Sequence, residues 1–138
     1  MQAIVVVGEL KEVLKKHKLW RNGKVEGVRA NLSNLNLSGI CLSGYDLSYA
    51  NLSNTNLTDA DLTGTNLSYA NLYCADLSYA NVSYAKISGA DLTNTRLDKA
   101  LGLKFLGRER KGLYWPISSK FLITLIKKLL TIHEKGSQ

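Results

Sequence analysis

The side chains that could act as nucleophiles, bases or metal ligands in this 138-residue chain are distributed in a way that works against catalysis. Serine and threonine are plentiful, but a hydroxyl becomes a nucleophile only beside a base that a third group orients. The two histidines, His17 and His133, lie near opposite ends of the chain. Asp46, Asp61, Asp76 and Asp91 would offer acid/base chemistry only if two of them shared a site. Cys41 and Cys74 belong to no cluster of Cys and His with zinc-ligand spacing. No catalytic, metal-binding or cofactor-binding residue is therefore expected, and the question becomes what element sets these residues so regularly apart.

That element is the stretch 30–99, fourteen five-residue units in unbroken register. The third place of each unit is aliphatic: Leu32, Leu37, Leu42, Leu47, Leu52, Leu57, Leu62, Leu67, Leu72, Leu77, Val82, Ile87, Leu92 and Leu97. The first place is Ala in eight units and Thr in three, and it is bulky at Leu35, Ile40 and Tyr45. Places two, four and five are mainly polar or turn-forming.

Apolar residues alternately two and three apart fit neither the 3.6-residue period of a helix nor the sustained period of two of a long strand. They fit a very short extended segment followed by a bend. Ser, Thr, Gly, Asn and Asp at places four and five supply such bends and tolerate positive φ. A chain that bends every five residues must coil, and its extended segments then pair with the coils above and below. The fold class is thus an all-β solenoid, whose units bury their apolar faces only by stacking.

The number of units per coil follows from charge. The four aspartates are fifteen residues apart, so a three-sided coil would stack them in one column, which like-charge opposition disfavours. A four-sided coil of twenty residues puts each on a different side. It also sets Arg96 over Asp76, Lys86 two coils over Asp46, and Ala30, Ala50, Ala70 and Ala90 in one column. About three and a half coils result, roughly 17 Å of stack at about 4.8 Å per coil. Cys41 and Cys74 then fall on different sides, and reduced thiols are expected.

The units resemble the A(D/N)LXX pattern of the pentapeptide-repeat proteins, over about half of the chain. That resemblance implies a right-handed quadrilateral β-helix with the third-place and small first-place residues inside. Leu35, Ile40 and Tyr45 depart from the pattern and predict a first coil that widens to meet an N-terminal cap.

The chain divides into three parts. Residues 1–29 form an N-terminal strand/helix cap: Ile4 to Val7 has the β-branched character of a strand. From Glu9 to about His17, Leu10, Val13 and Leu14 recur at helical spacing, with Lys11, Lys15, Lys16 and Lys18 toward solvent. Asn22, Gly23 and Gly27 make the loop into the solenoid, residues 30–100. Gly102 ends the pattern by falling where an aliphatic residue belongs. Residues 101–138 form a basic connector with Phe105, Tyr114 and Trp115, and then a C-terminal amphipathic helix from about Ile117 to Glu134. Phe121, Leu122, Leu125, Ile126, Leu129 and Ile132 give that helix an apolar arc wider than a cap needs. A homodimer through this helix would bury the surplus. A monomeric cap folded over the connector and a membrane surface are the other two ways to cover it.

The net charge of +7 is uneven: +4 over residues 1–29, −3 over residues 30–100 and +6 over residues 101–138. The opening MQAIVVVGEL lacks a basic n-region, and Lys127 and Lys128 interrupt the longest apolar run. A cytoplasmic protein is expected.

The expected function is a non-catalytic rigid protein-interaction or scaffold module with an unidentified protein partner. Tyr49, Tyr69, Tyr79 and Tyr84 are the candidate partner contacts, because Tyr is enriched where proteins meet. Tyr49 and Tyr69, twenty apart, should stack on neighbouring coils, a purely structural alternative for the same rings. The family resemblance raises an alternative, a DNA mimic that binds DNA gyrase, as in quinolone-protecting relatives. B-DNA carries one negative charge per about 1.7 Å, far denser than −3 over this coil, and the basic ends oppose such a role. Direct nucleic-acid binding would fall to Lys104, Arg108, Arg110 and Lys111, but a solvated basic loop is the commoner explanation of such a run, and no nucleic-acid partner is expected.

Overall fold

Every fifth residue from Asn34 to Lys99 has a positive φ, between 56° and 73°, in all fourteen units. In thirteen of them the N–H of the next first-place residue also donates to the third-place carbonyl, as from Ala60 to Leu57 at 3.1 Å. Positive φ at the second central place of such a bond is the type II turn, and one such turn makes each corner. The protein, a computed structural model, is described over residues 7–102, with the backbone alone for Val7. The residues of the expected C-terminal helix, the basic connector beyond Gly102, His133 and residues 4–6 of the expected strand lie outside that range.

Between corners the chain is extended for one bridge at a time. Parallel bridges join each second-place residue to the one twenty residues on, from Asn31 with Asn51 to Asn81 with Leu101. Twenty residues per coil at five per side makes the coil four-sided, as the charge argument required. Around each bridge, third-place N–H groups reach one neighbouring coil and second-place N–H groups the other, at 2.7–3.0 Å throughout. Each Leu of the third place is buried, and Leu42, Leu47, Leu52, Leu57, Leu62 and Leu72 have no exposed surface. Alanines at the first place complete this axial core.

Leu35, Ile40 and Tyr45 do not widen the first coil in its register. The bonds beside them, Asn56 to Leu35 at 2.9 Å, Asp61 to Ile40 at 2.8 Å and Asn66 to Tyr45 at 2.9 Å, match that beside Ala50. The bulk is accommodated outside the ladder: Leu35 and Ile40 are only half-buried against the core, and Tyr45 is exposed. Where threonine replaces alanine inside, its hydroxyl is satisfied. Thr55, Thr65 and Thr95 donate to the carbonyls of Leu32, Leu42 and Leu72 at 2.7–2.8 Å, so the core holds a polar atom without leaving it unpaired.

The second-place Asn and Asp residues have a structural use that sequence reasoning missed. In all eleven units that carry one, its Oδ1 accepts the N–H of the fourth-place residue, fixing the backbone entering the turn. The signal was their fixed place two residues before the bend. Reading the aspartates as charges alone hid it.

The corner geometry gives a clean test at Gly64, which has φ 65° and open space where a Cβ would stand. Gly64→Ala adds only that Cβ, which meets nothing, so its cost is conformational. We expect a loss of about 1–2 kcal/mol in chemical denaturation.

Helix α1, Val7–Arg21, precedes the coils. It begins at Val7, the last residue of the expected strand, and runs four residues past His17. Its extension has a local cause in its two ends. Glu9 in the first turn and Lys18 and Arg21 in the last complement the helix dipole. The stop is a Schellman motif: Gly23, at φ 68°, donates to Trp20 O at 3.0 Å and Lys24 to Leu19 O at 3.0 Å. Leu10 and Leu14 join the core cluster of the coils, so α1 packs on the first coil.

Candidate contact surface

One seam joins α1 to the coils, and its centre is Asp46. Oδ1 accepts the Ser48 N–H at 2.9 Å, the Ser48 hydroxyl at 2.5 Å and Asn66 Nδ2 of the next coil at 3.1 Å. Oδ2 faces Arg21 Nε of α1 at 3.5 Å. Burial works to raise the Asp46 pKa, but the Ser48 bonds and the Arg21 guanidinium outweigh it and hold the carboxyl below the ordinary value. Asp61, on another side, is likewise lowered, by hydrogen bonds from the Thr63 hydroxyl and backbone. Both carboxylates favour the folded state above pH ~4, and that contribution disappears as pH falls below it.

Aromatic rings continue the seam. His17 stacks on Trp20 at 5.5 Å, Trp20 meets Tyr49 edge-on at 6.3 Å, and Tyr49 stacks on Tyr69 at 5.0 Å with planes 11° apart. The Tyr69 ring lies over Gly89, where an added Cβ would come within 2.6 Å of it. Arg21 sits 5.2 Å above the Tyr49 ring. The stack of Tyr49 on Tyr69, expected from their spacing, is therefore present, and α1 adds two rings and a cation to it.

The other two candidate tyrosines lie elsewhere. Tyr79 and Tyr84 occupy two further corners, so the four rings do not form one patch. Tyr79 is approached by Lys99, 5.2 Å from the ring centre. All four are substantially exposed, from 41% at Tyr49 to 67% at Tyr84. All four also hold positive φ, a conformation that favours Gly or Asn.

Sequence reasoning gave His17 no role beyond the end of a helix. The structure buries it completely, and its Nδ1 accepts the Ala30 N–H at 3.0 Å. Its place after Leu10, Val13 and Leu14 on the inward stripe was the available signal. Elsewhere Arg96 does meet Asp76, at 3.1 Å, and also faces Asp98 at 3.7 Å. Cys41 and Cys74 are free thiols, and the Cys41 thiol lies 3.9 Å from Asp61 Oδ2. Among the described residues no His, Cys, Asp or Glu group could hold a metal ion, and no helix is long and apolar enough to cross a membrane.

The profile of the family described as "Pentapeptide repeats" matches residues 46–81 and 75–100, in eight copies. The solved pentapeptide-repeat protein alr5209 from Nostoc PCC 7120 is 37% identical over 62% of this chain and 75% of its own, with a TM-score of 0.31. This chain is a pentapeptide-repeat protein. Rfr23 from the cyanobacterium Cyanothece 51142 is 40% identical over 53% of this pentapeptide-repeat protein and 56% of its own chain, with a TM-score of 0.30. The match thus spans little more than half of Rfr23. QnrB1, a plasmid-mediated fluoroquinolone resistance protein, is 22% identical over 49% of this chain and 38% of its own, with a TM-score of 0.31. No curated protein matches. Family membership implies a right-handed quadrilateral β-helix, and the twenty-residue register of the bridges fits it.

Proposed function

We propose that this pentapeptide-repeat protein is a non-catalytic protein-contact module: about three and a half coils, seventy repeat residues at twenty per coil, capped by α1. One observation carries this reading. Tyr49, Tyr69, Tyr79 and Tyr84 are exposed rings kept at left-handed corners, where a tyrosine costs about 1–2 kcal/mol more than a residue suited to that conformation. Strain retained on an otherwise inert rod supports use of those rings in contact. The stacked pair Tyr49 and Tyr69, bordered by Arg21, is the best-formed part of that surface, since Tyr and Arg are the residues that anchor interfaces.

Replacing both rings, Tyr49→Ser with Tyr69→Ser, leaves the coil folded and removes partners captured from the native extract, read by mass spectrometry. Unchanged capture by a folded double variant overturns the contact surface. The reading extends to a homodimer through the C-terminal helix. Light scattering is then expected to give twice the 15.2 kDa chain mass, and a monomer at micromolar concentration removes the dimer. The finer alternative, mimicry of DNA toward gyrase, gains no support from the charge of the coil, net −3 over residues 30–100.

A further inference from the structure

We propose that His17 is an acid-sensitive latch that holds α1 on the first coil and thereby controls access to the Tyr49–Tyr69 face. The second half of this proposal rests on the contact surface proposed above; the latch itself does not. His17 is fully buried at the junction of three pieces: α1, which carries it, the segment entering the coil, which supplies the Ala30 N–H, and the coil side of Asp46 and Ser48. Because Nδ1 accepts a hydrogen bond, the neutral ring carries its proton on Nε2; Nε2 completes no hydrogen bond, although the Ser48 backbone approaches the ring as an acceptor.

Protonation places a hydrogen on Nδ1. That nitrogen then stops accepting, and two N–H groups face each other across 3.0 Å in a buried site. The charged groups around the ring come from all three pieces. Burial acts most strongly and opposes the cation; Asp46 and the Ser48 backbone, on the coil, favour it; Arg21 of α1 and Arg29 of the entering segment oppose it. The balance lowers the His17 pKa from its ordinary 6.5.

The sign follows. Undocked, His17 takes up its proton near pH 6.5; docked, it resists until a lower pH. The docked form is therefore favoured in full above that value and loses ground as pH falls below it. Between the two pKa values the ratio of undocked to docked rises about tenfold per pH unit. Trp20, stacked on His17 and edge-on to Tyr49, moves with the latch. So does Arg21, which pairs with Asp46 and covers the Tyr49 ring. Release of α1 uncovers the inner end of the tyrosine column.

The test uses the full chain carrying Trp115→Phe, which leaves Trp20 as its one tryptophan. As pH falls from about 7.5 to 5, Trp20 emission shifts to the red with a midpoint below 6.5, and the ring protons of His17 titrate with it in NMR. His17→Asn offers Oδ1 in place of Nδ1 and cannot take a charge, so it abolishes the emission change. A His17 ring that titrates at or above 6.5, or an emission change that persists in His17→Asn, overturns the latch. If the Asn variant fails to fold, the ring titration in the unsubstituted His17 protein decides alone. These readouts contain no partner. Capture at pH 7.5 and at pH 5.5 tests the second half: a rise at acid pH that Tyr49→Ser/Tyr69→Ser removes supports it, and equal capture overturns it while the latch stands.

Discussion

Leu62→Ala lowers the free energy of unfolding by about 3–5 kcal/mol, seen as a lower urea midpoint with little change of slope. Leu62 has no exposed surface and stands in the column of Leu42 and Val82, both also buried. The neighbouring coils are tied to its own by bonds on both edges, Leu62 N–H to Asn81 O at 2.8 Å and Asp61 N–H to Ile40 O at 2.8 Å. The backbone therefore cannot collapse into the space that the missing atoms leave, and the full cavity cost is retained. Leu97→Ala, in the last described coil and 6% exposed, is expected to lose less. A Leu62→Ala protein within 1 kcal/mol of the parent would mean that the axis is not packed as described.

Gly27→Ala separates α1 from the coils. A Cβ at position 27 would stand 2.1 Å from Trp20 N and 2.3 Å from Trp20 Cα, backbone atoms that cannot turn aside. The loop must lift, and it takes with it the Val28 N–H bond to Lys16 O and the Ala30 N–H bond to His17. We expect a loss of about 3 kcal/mol or more in the docking of α1. Damage in a solenoid stays near its origin, because each unit touches only its neighbours. Hydrogen exchange should show the amides of residues 28–30 losing protection while those of Leu62 and Leu67 keep theirs. Equal loss along the whole coil would contradict that locality.

The two substitutions also separate what each part of the chain made legible. Leu62 could be placed in the core from sequence because its column is written into the register: residues twenty apart share one environment, and fourteen units repeat it. The same periodicity brought out Arg96 against Asp76 and the stack of Tyr49 on Tyr69. Gly27 could be read only as a loop residue. Its requirement comes from a backbone seven residues earlier in the chain, at a distance no local pattern encodes.

The solenoid, its four sides and its axial leucines were legible from spacing, because a repeat turns distance along the chain directly into position in space. Long-range packing settled what the spacing left open: it left the first-coil register unwidened beside Leu35 and Ile40, and it buried His17 against Ala30. Helix α1 lies outside the repeat and meets the coil once, at a single seam. Contacts made once leave no period to read, and they depend on where two non-repeating surfaces happen to fit.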